Sequence, residues 1–144
     1  MRALVTGGAG FIGSHLVDRL LQDGHHVRAF DNFSTGQRRF LASAQTNDQF
    51  ELIEGDLIDE QQIEAAMRGV DFVWHLAANA DVRLGTDQPR RDLEQNTIAT
   101  ANVLEAMRKN EVGHIAFSST GSIYGEASVI PTPEDCPMPV QTSL

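Results

Sequence analysis

Residues 6–13 read Thr6-Gly7-Gly8-Ala9-Gly10-Phe11-Ile12-Gly13 and follow directly on the short apolar run Arg2-Ala3-Leu4-Val5. After them, Ile12, Leu16, Val17, Leu20 and Leu21 recur at helical spacing. A strand, a glycine-rich turn and an amphipathic helix in this order restrict the fold sharply. Gly7 permits the tight turn, Gly10 leaves no Cβ between the backbone and an incoming phosphate, and Gly13 lets the helix lie close on the sheet. The first turn of the helix then offers unpaired N–H groups and a partial positive charge to an anion. The ligand these features suit is the pyrophosphate of a dinucleotide. The alternative is a glycine-rich turn arisen by chance, which would need neither the strand before it nor the helix after it.

The rest of the chain alternates strand and helix without internal repeat or linker. Strands are expected at 2–6, 26–30, 50–54, 71–76 and 114–118. Helices are expected at 11–23, 37–44, 60–68 and 88–109. Gly24 and Gly69 serve as helix stops and Asp59 as a cap. This pattern predicts an α/β fold: a Rossmann-type doubly wound parallel sheet, ending after about five strands. Beyond Gly121, four prolines (Pro131, Pro133, Pro137 and Pro139) exclude a helix. The 144 residues suffice for one domain with a core, to which Trp74 and the four methionines are assigned. The formal net charge of −9 disfavours nucleic acid and anionic membrane as partners, so an anionic ligand must be held by local backbone dipoles. No apolar run approaches the ~20 residues of a membrane span. The single cysteine, Cys136, has no internal disulfide partner, which fits the cytoplasm.

Asp31 closes the second strand at about the 20-residue remove at which a carboxylate accepts both adenosine ribose hydroxyls and repels a 2′-phosphate. It favours NAD over NADP, its alternative being a cap or turn residue. Arg38 and Arg39 lie close enough in sequence to meet a 2′-phosphate, but Asp31 holds the discriminating position. Asp56, in Gly55-Asp56-Leu57, stands at the end of the third strand, where a turn role is its alternative. Leu76-Ala77-Ala78 leaves the fourth strand with small residues that allow close approach to the backbone, or simply close packing. Ser118-Ser119-Thr120 ends the fifth strand, where open α/β sheets bind ligands, its alternative being a turn. His25, His26, His75 and His114 show no metal-ligand spacing and are assigned structural roles; His15 is given none.

The glycine turn, Asp31-Asn32, Gly55-Asp56-Leu57, His75-Leu76-Ala77-Ala78, Asn96 and Ser118-Ser119-Thr120 occur in the order found in extended short-chain dehydrogenases/reductases. Within that superfamily the chain resembles the NAD-dependent sugar-nucleotide epimerases of the UDP-glucose 4-epimerase type. The resemblance implies that Phe11 and Ile12 cover the pyrophosphate. It implies that Asp31, Asn32, Ser34, Thr35 and Gly36 surround the adenosine, with Asp56 and Leu57 beside the adenine. Leu76, Ala77, Ala78, Ala80 and Asn96 line the path to the nicotinamide, near Ser118. Thr120 takes the place of the hydroxyl residue that bonds the sugar hydroxyl being oxidised, and Ser122 lies on the substrate side. Such enzymes remove a hydride from sugar C4 to NAD and return it to the other face of a 4-keto sugar. Related 4,6-dehydratases carry Thr-Asp-Glu where this chain has Thr120-Gly121-Ser122, and the decarboxylases keep a Glu. The missing acids favour an epimerase or a simple reductase.

The family's general base is the tyrosine of a Tyr-x-x-x-Lys pair. This chain has one tyrosine, Tyr124, and one lysine, Lys109, and Ser128 stands four positions after the tyrosine. The resemblance places the true pair beyond Leu144, so residues 1–144 are expected to be an incomplete NAD-binding domain. The catalytic helix and the substrate lobe would lie outside it, and the full-length enzyme would be a homodimer acting on a UDP-sugar. The competing hypothesis is a non-catalytic dinucleotide sensor, which would keep the glycines and Asp31 without a base; a sugar-nucleotide reductase or dehydratase is a further one.

Overall fold

The computed structural model describes residues 1–79, 87–120, 124–125 and 129–136. Five strands, β1 (Arg2–Thr6), β2 (His26–Asp31), β3 (Phe50–Glu54), β4 (Phe72–His75) and β5 (Ile115–Phe117), form one parallel sheet in the order β3-β2-β1-β4-β5. β1 is central, and Ala3, Leu4, Val5 and Thr6 are all fully buried, as befits a parallel strand covered on both faces. Val5 is in register with Ala29 on one side and Trp74 on the other.

The alternation of side chains along β1 divides the core. Ala3 and Val5 pack with Val17, Leu20 and Leu21 of helix α1 (Phe11–Gln22). Leu4 packs on the opposite face with Ile63 of α2 (Glu60–Ala66) and with Met67, Val103 and Met107. Helices thus cover both faces, the doubly wound arrangement expected. α1 ends as its sequence indicates: Gly24 has φ +80°, and the N–H groups of Gly24 and His25 donate back to Leu21 O and Leu20 O. Asp59 caps α2, its carboxylate accepting from Gln61 N and Gln62 N at 3.0 and 3.2 Å.

Three expectations need correction. The helix expected at 37–44 is instead two 3₁₀ turns, Arg38–Leu41 and Ala44–Thr46. Each turn buries a single residue, Leu41 or Ala44, in the core shared with α1, too little apolar surface to hold a continuous α-helix. The long helix is not uniform. A short α3 (Pro89–Asp92) passes through a π-helical stretch, Leu93–Ile98, into α4 (Ala99–Lys109). Of the methionines, Met67 and Met107 are core, but Met1 precedes β1 and is 46% exposed, and Met138 lies outside the described residues. Trp74 is only partly buried, and its Nε1 is a buried donor with no acceptor among the described residues.

Candidate dinucleotide site

In this strand order the chain leaves β1 toward β2 on one side and returns as β4 on the other. A crevice therefore opens above the carboxyl ends of β1 and β4, the place where open α/β sheets bind ligands. A cavity of about 450 Å³ fills it, lined by the glycine turn, the end of β2 and the loops after β3, β4 and β5.

The glycine turn is held by its own backbone. Gly7 N–H donates to Phe30 O at 2.9 Å and Gly10 N–H to Gly7 O at 3.0 Å. Gly7 has φ +68°, and a Cβ there would stand 2.8 Å from Ala77 N. A Cβ on Gly13 would stand 2.1 Å from Gly7 O. This refines the role assigned to Gly13, whose close approach is to the turn itself. The residue that brings the turn down onto the sheet is Gly8, whose Cβ would meet Ala29 Cβ at 2.7 Å. The first intrahelical bond of α1 is Ser14 N–H to Gly10 O, so the amides of Phe11, Ile12 and Gly13 open the helix without an intrahelical acceptor. No side chain caps this end and no acidic residue occupies the first turn, so nothing on the helix neutralises its positive pole.

Asp31 lies at the other side of the cavity and is 8% exposed. Its Oδ2 accepts from Ala9 N–H and its Oδ1 from Phe33 N–H, both at 2.8 Å. The turn role and the binding role are therefore compatible. Two backbone donors fix the carboxylate, and each oxygen keeps acceptor capacity toward the cavity. Phe33 takes the left-handed φ of +56° this turn requires. Arg38 is engaged elsewhere, paired with Glu54 and stacked 4.3 Å from the Phe33 ring centroid.

The remaining expected residues divide into groups. Phe11, Ile12, Asn32, Ser34, Thr35, Gly36, Leu57, Leu76, Ala77, Ala78 and Ser118 line the cavity together with Gly7, Gly10, Gly13 and Asp31. Asp56 lies in an adjoining concavity, accepting from Asn32 Nδ2 at 3.2 Å and Ile58 N at 3.0 Å. Asn96 does not line the cavity; its Oδ1 accepts from Asn79 N–H at 2.8 Å, while its neighbour Gln95 lines the wall. Both residues lie in the π-helical stretch Leu93–Ile98, which no side-chain pattern announces. Thr120 is exposed beyond β5 and outside the cavity wall. Ala80 and Ser122 lie outside the described residues. Sequence reasoning missed Phe30, Phe40, Gly55 and Gln95 as lining residues. Gly55 is there for a steric reason, since a Cβ would meet Gln62 Oε1 at 2.6 Å and the Phe30 ring at 2.7 Å.

The donor set fits a dinucleotide: amide donors on a positive helix pole for the pyrophosphate, and a fixed carboxylate for ribose hydroxyls. Among the described residues there is no cluster of groups able to hold a metal ion, and no helix long and apolar enough to cross a membrane.

A UDP-glucose 4-epimerase of Mycolicibacterium smegmatis is 41% identical over 96% of this chain and 45% of its own length. UDP-glucuronic acid decarboxylase 1 of Danio rerio is 40% identical over 93% of this chain and 31% of its own. The solved structure of Thermus thermophilus UDP-glucose 4-epimerase in complex with NAD superposes with a TM-score of 0.79 at 39% identity, covering 92% of this chain and 44% of that one. The chain thus spans less than half the length of these relatives. Residues 3–143 match the NAD dependent epimerase/dehydratase family, and the chain belongs to it.

Proposed function

We propose that this chain is the NAD-holding portion of a sugar-nucleotide epimerase of the UDP-glucose/UDP-galactose type. One observation carries the cofactor assignment: the backbone cradle closed by Gly7 and Gly13 stands opposite a carboxylate fixed by two amides. When bound, NAD supplies the acceptor and donor of a hydride at the sugar carbon. The amides of Phe11, Ile12 and Gly13 bind the pyrophosphate. Asp31 orients the adenosine ribose and opposes a 2′-phosphate. Leu76, Ala77 and Ala78 keep water from the nicotinamide side, and Thr120 bonds the reacting sugar hydroxyl. The stretch Thr120-Gly121-Ser122, without an acid pair, supports epimerisation over dehydration or decarboxylation, although decarboxylase relatives are nearly as similar as epimerases. The exposed Leu93, Ile98 and Leu104 on the helical run from Pro89 suit a homodimer contact in the complete enzyme, in the cytoplasm.

With no Tyr-x-x-x-Lys in its sequence, the 144-residue chain binds NAD but does not turn over substrate. The test is product analysis by NMR with the polypeptide expressed from its native reading frame. Interconversion of UDP-glucose and UDP-galactose without net cofactor consumption is expected. Release of carbon dioxide from UDP-glucuronate, or turnover by the 144-residue chain alone, would overturn the proposal.

A further inference from the structure

His75, at the end of β4, is fully buried between two threonines. Its Nδ1 is 2.6 Å from Thr6 Oγ1 and its Nε2 is 3.0 Å from Thr100 Oγ1. The ends of this line settle which atom donates. Thr100 gives its one hydroxyl proton to Asn96 O at 2.6 Å, so toward His75 it accepts, and Nε2 carries the hydrogen. Burial alone lowers the His75 pKa to about 4, so the ring is neutral at pH 7 and Nδ1 is bare. Thr6 therefore donates to Nδ1 and turns a lone pair to Ala77 N–H at 3.4 Å. A one-directional chain runs from Ala77 N–H through Thr6, His75 and Thr100 to the Asn96 carbonyl. The Asn96 side chain in turn accepts from Asn79 N–H. The Ala77 end of the chain thus holds the loop after β4 directly, and the residue at its other end holds Asn79 by a separate side-chain bond.

We infer that His75 is a positioning residue: in its Nε2–H form it fixes, through Thr6 and Thr100, the distance between the loop after β4 and the glycine turn. Those two backbones nearly touch, as a Cβ on Gly7 would lie 2.8 Å from Ala77 N, so a small displacement of Ala77 narrows or opens the cavity. The consequence for NAD rests on the cofactor assignment above; the hydrogen-bond chain does not.

The test has two arms. In the first, ¹⁵N imidazole and amide NMR of the 144-residue chain without ligand should show the Nε2–H tautomer at pH 7. The Ala77 amide should shift and exchange faster in His75→Phe and Thr6→Val, and keep its wild-type shift in Thr6→Ser. An Nδ1–H tautomer, or an Ala77 amide indifferent to both substitutions, would overturn the inference. In the second, calorimetric NAD binding should weaken about tenfold in His75→Phe and in Thr6→Val, the size of one lost hydrogen bond. The double variant should be no worse than either single one. His75→Asn, whose amide oxygen can accept from Thr6, should recover most of the loss. Additive losses, or wild-type affinity in His75→Phe, would overturn the inference. If the wild-type chain bound no NAD, the cofactor assignment would fail while the first arm still decided the role of His75.

Discussion

Gly13→Ala is the substitution whose effect the structure specifies most fully. On an ordinary exposed helix position the change would be favourable by about 1 kcal/mol, because alanine is the better helix former. Here the new Cβ would stand 2.1 Å from Gly7 O and 2.9 Å from both Gly7 C and Gly8 Cα. Those are backbone atoms of a turn pinned by Gly7 N–H to Phe30 O and Gly10 N–H to Gly7 O, so no side chain can rotate out of the way. The contact with Gly7 O must open by about 0.9 Å merely to reach 3.0 Å. Overpacking of this kind costs about 1–3 kcal/mol, and a rigid backbone neighbour places it at the upper end. Subtracting the helix gain leaves a loss of about 2 kcal/mol, or roughly 8 °C in Tm for a chain of this size. The amides of the helix start move with the turn. Losing one hydrogen bond to a charged phosphate weakens NAD binding about ten- to a hundredfold. Differential scanning calorimetry and NAD titration read the two effects. Gly113→Ala is the control, since nothing lies within 4 Å of its Cβ and its backbone is not left-handed. Wild-type Tm and NAD affinity in Gly13→Ala would refute the packing argument.

Other outcomes follow from single contacts. Asp31→Asn should weaken NAD binding about tenfold and shrink the preference for NAD over NADP. It should also cost about 1–3 kcal/mol, because its amide faces two backbone donors with only one acceptor oxygen; calorimetry with both cofactors checks this. Asp59→Ala should lower stability by about 1 kcal/mol in denaturant unfolding, having removed the cap of α2. The buried His75 should make stability pH-dependent. Its pKa is depressed from 6.5 to about 4 in the fold, so the unfolded chain takes up the proton first as pH falls. Its contribution is intact above pH 6.5 and is lost progressively down to about pH 4, by about 3 kcal/mol in all. Urea midpoints from pH 7.5 to 4 should show this slope, and His75→Asn should lack it.

The parts of the fold governed by local rules could be read from the residues alone. The Gly24 stop and the Asp59 cap each follow from one residue in one conformation, and the β1–turn–α1 unit from glycines at fixed spacing between a strand and an amphipathic helix. The parallel sheet follows from the alternation of strand and helix along the chain. The 3₁₀ turns at 38–46 and the π stretch at 93–98 are set instead by what they pack against. The site divides the same way. Gly7, Gly10, Gly13 and Asp31 are legible because their chemistry depends on residue type and spacing. Gln95 and Phe40 are not, since helix phase and loop packing bring them to the wall. His75 shows no metal-ligand spacing and so reads as structural from the sequence; only its two threonine partners reveal a directed chain.

We propose above that the glycine turn and Asp31 hold NAD in this chain. Isothermal titration of the purified 144 residues with NAD and with NADP tests it most directly. Binding of one NAD per chain is expected, tighter than NADP and much weakened in Gly13→Ala. No binding, tighter binding of NADP, or NAD binding indifferent to Gly13→Ala would contradict it.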